Sequence, residues 1–250
     1  YNKAFLPALF ALTTVLTACG GGGGTSTTPP QTPGNPSPLQ LSDTAALGKQ
    51  IFFDESLSAS GLQSCATCHV ASRAHAGNDD VAVPLGGIAM KTQGFRNSPS
   101  LNYLQFNPSF FFDKEGTPTG GFDRDGRANT FAIQAERPSV APHEMANNTK
   151  EKMVEKLARA AYISEFRRIY GADITERPQD AFAAAAQAIA KFEMEDPAFH
   201  TFDSKFDYFL AGKTSLSDQE LRGYALFNNP QKGNCAGCHP STRTDSTPPL

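Results

Sequence analysis

The chain has 250 residues and a formal net charge of −3, and no run of Lys and Arg exceeds a pair. That balance excludes the basic footprint of a nucleic-acid-binding protein. Hydrophobic residues make up 39 %, enough for a sizeable core, and include 19 Phe but no Trp.

At the N-terminus, Lys3 precedes an apolar run from Ala4 to Leu16 that ends Leu16-Thr17-Ala18-Cys19. The run is too short to span a bilayer and has the charged start and small-residue end of a signal peptide, residues 1–18. Leu-Thr-Ala-Cys resembles a bacterial lipobox, which implies cleavage before Cys19 and a diacylglycerol on its thiol. An ordinary signal peptide followed by an unmodified Cys is the alternative. Tyr in place of Met at position 1 reads as a clipped start. Residues 19–40 are mostly Gly, Thr, Ser and Pro, with five consecutive glycines. Such a segment cannot bury enough surface to offset its ordering entropy, so it reads as a disordered tether reaching roughly 25 Å.

The folded region is expected from residue 41. Ser42 or Asp43 can cap a helix whose apolar face carries Leu47, Ile51 and Phe52. Then comes Cys65-Ala-Thr-Cys68-His69, and near the far end Cys235-Ala-Gly-Cys238-His239. Each is the Cys-x-x-Cys-His attachment signal of c-type haem. Two residues between the thiols let one short turn reach both porphyrin vinyls, and the next imidazole falls beneath the iron. A four-thiolate zinc site or two disulfides would leave the His after each pair unexplained. The spacing therefore predicts two covalently bound haem c groups, with His69 and His239 as iron ligands.

Between the motifs, Gly-, Pro- and Asn-rich stretches from about 76 to 148 read as long loops wrapping cofactor. Asn148 and Glu151 form a candidate capping box for one helix carrying Met153, Leu157, Ala161 and Phe166 on a single face. Pro178 opens an alanine-rich helix from Asp180 to about Phe192, and Ser217 with Glu220 caps another through Leu226. No run of alternating strands appears, so the expected fold is mostly α. A loose repeat, Gly48 to Phe52 before the first motif and Gly223 to Phe227 before the second, reads as two cytochrome c-like units. In each, Gly would allow close helix approach and Phe would pack near the porphyrin. The expected haem domains are 41–212 and 213–250, the second incomplete. Only eleven residues follow His239, and all four Met lie upstream of the second motif.

These motifs together resemble the bacterial dihaem cytochrome c peroxidase and MauG family. The similar stretches are Leu47-Gly48 through Ile51-Phe52-Phe53-Asp54, Leu57-Ser58, Ser60-Gly61, and Ser64 through His69. Arg96 through Leu101, Asp125-Gly126-Arg127-Ala128, and Pro142 with Glu144-Met145 follow in the family's order. The resemblance, over roughly residues 44–240, implies that Glu144 sits over the open face of the first haem. There it would take the proton from bound peroxide and return it to the leaving oxygen, which suits a carboxylate whose pKa burial has raised. Gln134, ten positions earlier, matches the family's distal Gln, and Asn97 matches a residue that helps hold a calcium ion between the haems. Asp125-Gly126-Arg127 is expected to be a turn with a buried ion pair near the haem edge. A zinc-protease reading of His143-Glu144 fails because position 147 is Asn, where that motif needs His.

Two departures from the family stand out. Arg124 replaces the Trp that relatives place between the haems, leaving direct tunnelling or a relay such as Tyr103. The removable His ligand before Arg96 is also missing. Met90 is the only candidate between Gly86 and Phe95, so the first haem is expected to be five-coordinate or water-bound at rest, as in the MauG branch. His75 reads as a surface-loop residue, and His143 and His200 as surface or packing residues. The resulting expectation is a lipid-anchored enzyme on the periplasmic side of a bacterial envelope, with the outer membrane favoured by Gly20. It would reduce hydrogen peroxide with electrons from a small c-type cytochrome or copper protein, and a homodimer is left open. The alternatives are a MauG-like oxidase acting on a protein partner and a tethered electron-transfer cytochrome without enzymatic activity.

Overall fold

The computed structural model describes residues 40–77, 81–239 and 241–242; the expected leader, Cys19 and nearly all of the expected tether lie outside them. Among the described residues, eight α-helices carry the fold. They are α1 (Asp43–Phe53), α2 (Cys65–Cys68), α3 (Phe131–Val140), α4 (Lys150–Leu157), α5 (Ile163–Tyr170), α6 (Pro178–Glu195), α7 (Lys205–Leu210) and α8 (Asp218–Asn228). Strand is confined to two antiparallel hairpins of two-residue strands, β1 (Leu85–Gly86) with β2 (Thr92–Gln93) and β3 (Phe111–Phe112) with β4 (Pro118–Thr119). The fold is mostly α, as the sequence pattern predicts. No described helix is long and apolar enough to cross a membrane.

Helix α6 is the axis against which α1, α3 and α4 pack. Its alanines leave room for close approach, and Gly48 of α1 uses that room fully. A Cβ at Gly48 would lie 1.8 Å from the Ala188 carbonyl oxygen, so only glycine permits this crossing. A Cβ at Gly223 of α8 would meet nothing within 4 Å, so the second half of the expected repeat makes no such crossing among the described residues. Phe52 is fully buried and packs edge-on to Phe192 at 5.4 Å and Phe199 at 6.0 Å, in the core and away from the cavity described below. This phenylalanine cluster supplies the aromatic packing of a core that has no Trp. Each ring buried contributes roughly 2 kcal/mol, and edge-to-face contact adds to it.

Three local expectations need correction. The long loop predicted over 76–148 contains α3, which begins where the Thr130 hydroxyl accepts from the Ile133 N–H at 3.2 Å. Pro138 inside α3 conceals it, because proline removes a helical donor and usually marks a break. The single helix expected beyond residue 148 is two helices, α4 and α5, separated by the turn that carries Tyr162 to a 2.7 Å bond with Asp54. Its cap is Thr149 rather than Asn148, which sits at φ 63°, and Ala161 is exposed instead of sharing the buried face.

Candidate active site

Helix α2 is a single turn, and it places both thiols of the first motif on the wall of a cavity of about 780 Å³. Ser64 and Thr67 stabilise its entry, the Ser64 N–H donating to the Thr67 hydroxyl at 2.9 Å. His69 follows, with its Nδ1–H donating to the His75 carbonyl at 2.9 Å and a further backbone bond to Pro99. Burial holds its pKa below the usual histidine range, so the ring is neutral. With Nδ1 bonded to the His75 carbonyl, Nε2 is the nitrogen that would hold a metal, the arrangement that fixes tautomer and ring orientation in metal-bound His. Burial, then the nearby Glu193 carboxyl, push the free Cys65 thiol up to about 12, and burial raises Cys68. Both sulfurs are thus held as neutral thiols in the haem-free chain. The residues fit a haem held by Cys65, Cys68 and His69.

Glu144 and Gln134 line the same cavity. The backbone around Glu144 is clamped from several directions. Its carbonyl accepts from the Gly87 N–H at 2.8 Å and from the Gln63 side chain, and the next carbonyl, of Met145, accepts from Ala59 at 2.7 Å. Gly86 of β1 lies directly beneath, where a Cβ would approach the His143 carbonyl oxygen to 2.4 Å. So the hairpin holds a catalytic candidate in place, and its two glycines are what let it approach. The Glu144 side chain opens into the cavity, yet surrounding protein desolvates it and raises its pKa; Asp123 adds to that, while His143 and Arg137 oppose it. His143 Nε2 stands 3.7 Å from a Glu144 oxygen, and its ring packs against Phe95 at 4.5 Å. Gln134, half-buried on α3, lies one turn before Pro138, which also faces the cavity.

The cavity rim is charged. The Asp125 and Arg127 side chains pair at 2.7 Å, Arg127 also reaches Asp123 at 3.5 Å, and Asp123 bonds Arg137. The expected turn and its ion pair are present, but Arg127 and Asp125 are exposed rather than buried, because the turn sits on the open rim where water solvates both charges. Arg124 and Asn97 line the cavity together, the Arg124 Nη2 donating to the Asn97 carbonyl at 3.0 Å, while the Asn97 Oδ1 faces Gly77. No group of three His, Cys, Asp or Glu that could hold a metal ion occurs among the described residues. Met90 is absent from the cavity wall, its sulfur instead accepting from Ser60 at 3.5 Å. Tyr103 also lies outside it, against Phe202. The second motif forms a separate turn: Cys235, Cys238 and His239 do not line this cavity, and the His239 N–H closes on the Cys235 carbonyl at 2.8 Å. Helices α7 and α8 pack on each other through the Phe206, Phe209 and Tyr224 rings and the Lys205–Glu220 pair, and the Tyr224 hydroxyl donates to the Ser241 carbonyl just beyond the motif at 3.2 Å.

The sequence reading misplaces one residue of this region and misses another. His75 is 4 % exposed rather than on a surface loop: it stacks on Phe199 at 3.9 Å and its Nδ1 is 2.7 Å from the Asn102 side-chain oxygen. Its ring thereby braces the carbonyl that orients His69. Glu193 is 4 % exposed on the cavity wall, with an Oε2 that lacks a hydrogen-bond partner. A signal for it was available, since Glu193 sits four residues after Ile189 and seven after Ala186 on the apolar stripe of α6, where a carboxylate is out of pattern. His200, by contrast, packs with its Nδ1 buried, as expected.

Comparison with known proteins agrees with this arrangement. A family model described as di-haem cytochrome c peroxidase matches residues 42–215. The methylamine utilization protein MauG of Paracoccus denitrificans is 36 % identical over 200 residues, 78 % of this chain and 50 % of that protein. The cytochrome c551 peroxidase of Nitrosomonas europaea is 33 % identical over 201 residues, 79 % of this chain and 52 % of that one. The crystal structure of the diheme peroxidase BthA from Burkholderia thailandensis matches with a TM-score of 0.74 at 32 % identity, over 84 % of this chain and 51 % of its own. The chain spans about half the length of these relatives. With two haem-attachment motifs, a helical body built around the first of them, and a family match over most of its length, the chain belongs to the di-haem cytochrome c peroxidase family.

Proposed function

We propose that the haem-loaded protein reduces hydrogen peroxide to water with electrons from a small c-type cytochrome or cupredoxin. The haem supplies the iron that binds peroxide and passes it electrons. His69 would hold that iron through Nε2, its ring fixed by the His75 and Pro99 carbonyls. Glu144 would take the proton from one peroxide oxygen and deliver it to the other, while Gln134 hydrogen-bonds the substrate. The observation that carries this reading is Glu144 itself: a part-buried carboxyl with a raised pKa, clamped by its backbone, on the wall of the cavity that His69 also lines. Cys235, Cys238 and His239 would hold the second haem, the entry point for electrons. With Arg124 in place of Trp, electrons would cross between the haems directly or through another relay such as Tyr103.

The same proposal covers the chain's setting. Residues 1–18 act as leader, Cys19 carries the lipid, 19–40 form the tether, and domains 41–212 and 213–250 face the periplasm, with the outer membrane favoured. A calcium ion would take the Asn97 Oδ1 as its ligand, since Arg124 occupies the carbonyl. A second reading, a MauG-like oxidase acting on a protein partner, is favoured by one observation: Met90 points away from the cavity, leaving no ligand from that loop for the haem's open face.

Peroxide-dependent oxidation of a reduced small cytochrome, measured with wild type and Glu144→Gln, tests the proposal. Turnover should fall about 10²–10⁴-fold in the variant with haem content unchanged. Wild type that consumes peroxide but never oxidises the cytochrome would sink the peroxidase reading and support the protein-oxidising one.

A further inference from the structure

Glu193 has no part in the chemistry above, yet it is a buried carboxyl on the wall of the haem cavity with one oxygen unpartnered. It also lies close enough to Cys65 for its charge to raise that thiol. A haem bonded to Cys65 is therefore brought beside this carboxyl. We propose that Glu193 is a proton site coupled to the haem on Cys65 and Cys68, taking up one proton from solvent when an electron-donor protein delivers one electron to that haem. The proton leaves again when the electron does. The inference rests on haem attachment, not on peroxide reduction.

The step balances simply. Ferric haem, the Glu193 carboxylate, one electron and one proton give ferrous haem and the Glu193 carboxylic acid, and the only bond made is O–H. The physical cause is Coulombic. A carboxylate beside the haem favours the ferric state, which carries one more positive charge, and reduction removes the charge that helped keep the carboxylate ionised. Little else competes. On the helices packed against α6, Asp43 and Lys49 of α1 pair with Arg168 and Asp196. Glu136 and Arg137 of α3 pair with Lys150 and Asp123. On α4, Glu151 accepts from Gln179, Lys152 pairs with Glu155 and Lys156 donates to the Ser58 carbonyl. On α6 itself Lys191 pairs with Glu195, and Glu176 on the adjoining turn is exposed. On the cavity side Cys65 lies within electrostatic reach of both Glu193 and Glu144, and His69, Arg96, Arg124, Arg127 and His143 line the same cavity. Burial by itself pushes the Glu193 carboxyl up to about 8, so the uptake falls in an accessible pH range.

The test is a potentiometric titration of the haem-loaded dihaem protein from pH 5 to about 9, without peroxide. The haem in question is identified by the wave lost in the Cys65→Ser/Cys68→Ser variant. Its potential should fall with rising pH in a window closing near pH 8. That slope should be lost in Glu193→Gln and retained in Glu193→Asp, with the second haem's wave unchanged in each. Equal slopes in wild type and Glu193→Gln, or a flat wild-type line, would overturn the proposal. A readout on wild type guards against a poorly folded variant: reduction should raise a protonated-carboxyl C=O band in the infrared difference spectrum, shifted by ¹³C-Glu labelling. Absence of that band would also overturn it. Because no peroxide is present, the result is independent of whether the protein turns peroxide over.

Discussion

Two carboxyls on one cavity wall have pKa values raised by the same cause, burial, and differ in what surrounds them. Glu144 has His143 and Arg137 to favour its charged form, and it opens into the cavity. Glu193 has no such partner, and burial acts on it alone. A base that must gain and lose a proton during turnover needs the first environment. A group that follows the charge of a neighbour fits the second. The sign for Glu144 follows from its raised pKa: below that value the carboxyl is protonated and cannot accept a proton from peroxide. Peroxidase turnover should therefore decline on the acid side at a higher pH than an ordinary glutamate would give, and Glu144→Gln should remove that limb from the pH profile. A second residue-scale expectation concerns Met90. Since its sulfur meets Ser60, Met90→Leu should leave the ferric haem spectrum unchanged, with the first haem high-spin. Conversion of a low-spin signal to high-spin in that variant would restore Met90 as a ligand.

Among the elements, α4 shows how narrowly a cap is specified. Asn148 and Thr149 are both capping residues by type, and only one can be the cap. Asn148 occupies a left-handed conformation, φ 63°, whereas Thr149 is extended and its hydroxyl accepts from the Lys152 N–H at 3.3 Å. Thr149→Ala should cost about 1 kcal/mol of stability in urea denaturation. Asn148→Gly should cost nothing measurable, because glycine tolerates the same conformation. The reverse ranking would mean that the helix begins one residue earlier. Helix α3 makes a related point. Its Pro138 would normally end a helix, but here it faces the cavity one turn beyond Gln134, with the chain turning directly into the clamped Glu144 segment.

For the molecule as a whole, the first haem motif lies within the packed body and the second on a peripheral turn. Cys65 and Cys68 border a cavity of about 780 Å³ walled by residues from α2, α3 and α6 and by the loops between them. Cys238 and His239 are exposed. Loss of either Cys pair should lower the haem count from two to one by pyridine haemochrome assay. The thermal midpoint should fall much further for Cys65→Ser/Cys68→Ser, because an unfilled cavity of that size withdraws contacts from the core. Equal midpoints would show that the haem does not contribute to packing of the first domain.

The sequence alone determined the covalent chemistry and most of the helices. Cys-x-x-Cys-His is local: five consecutive residues would carry both thioethers and the ligand, and no tertiary contact is needed to read them. The same holds for α1, α6 and α8, whose caps and apolar periods lie within their own segments. Glu144 and Gln134 became legible through the family resemblance, since neither residue is unusual by itself. Tertiary structure decided the rest, because burial is a property of the folded chain. It placed His75 under Phe199 to brace His69, turned Met90 away from the cavity, and enclosed Glu193 beside Cys65. Each of these depends on which distant segments share a wall, information that no local spacing carries.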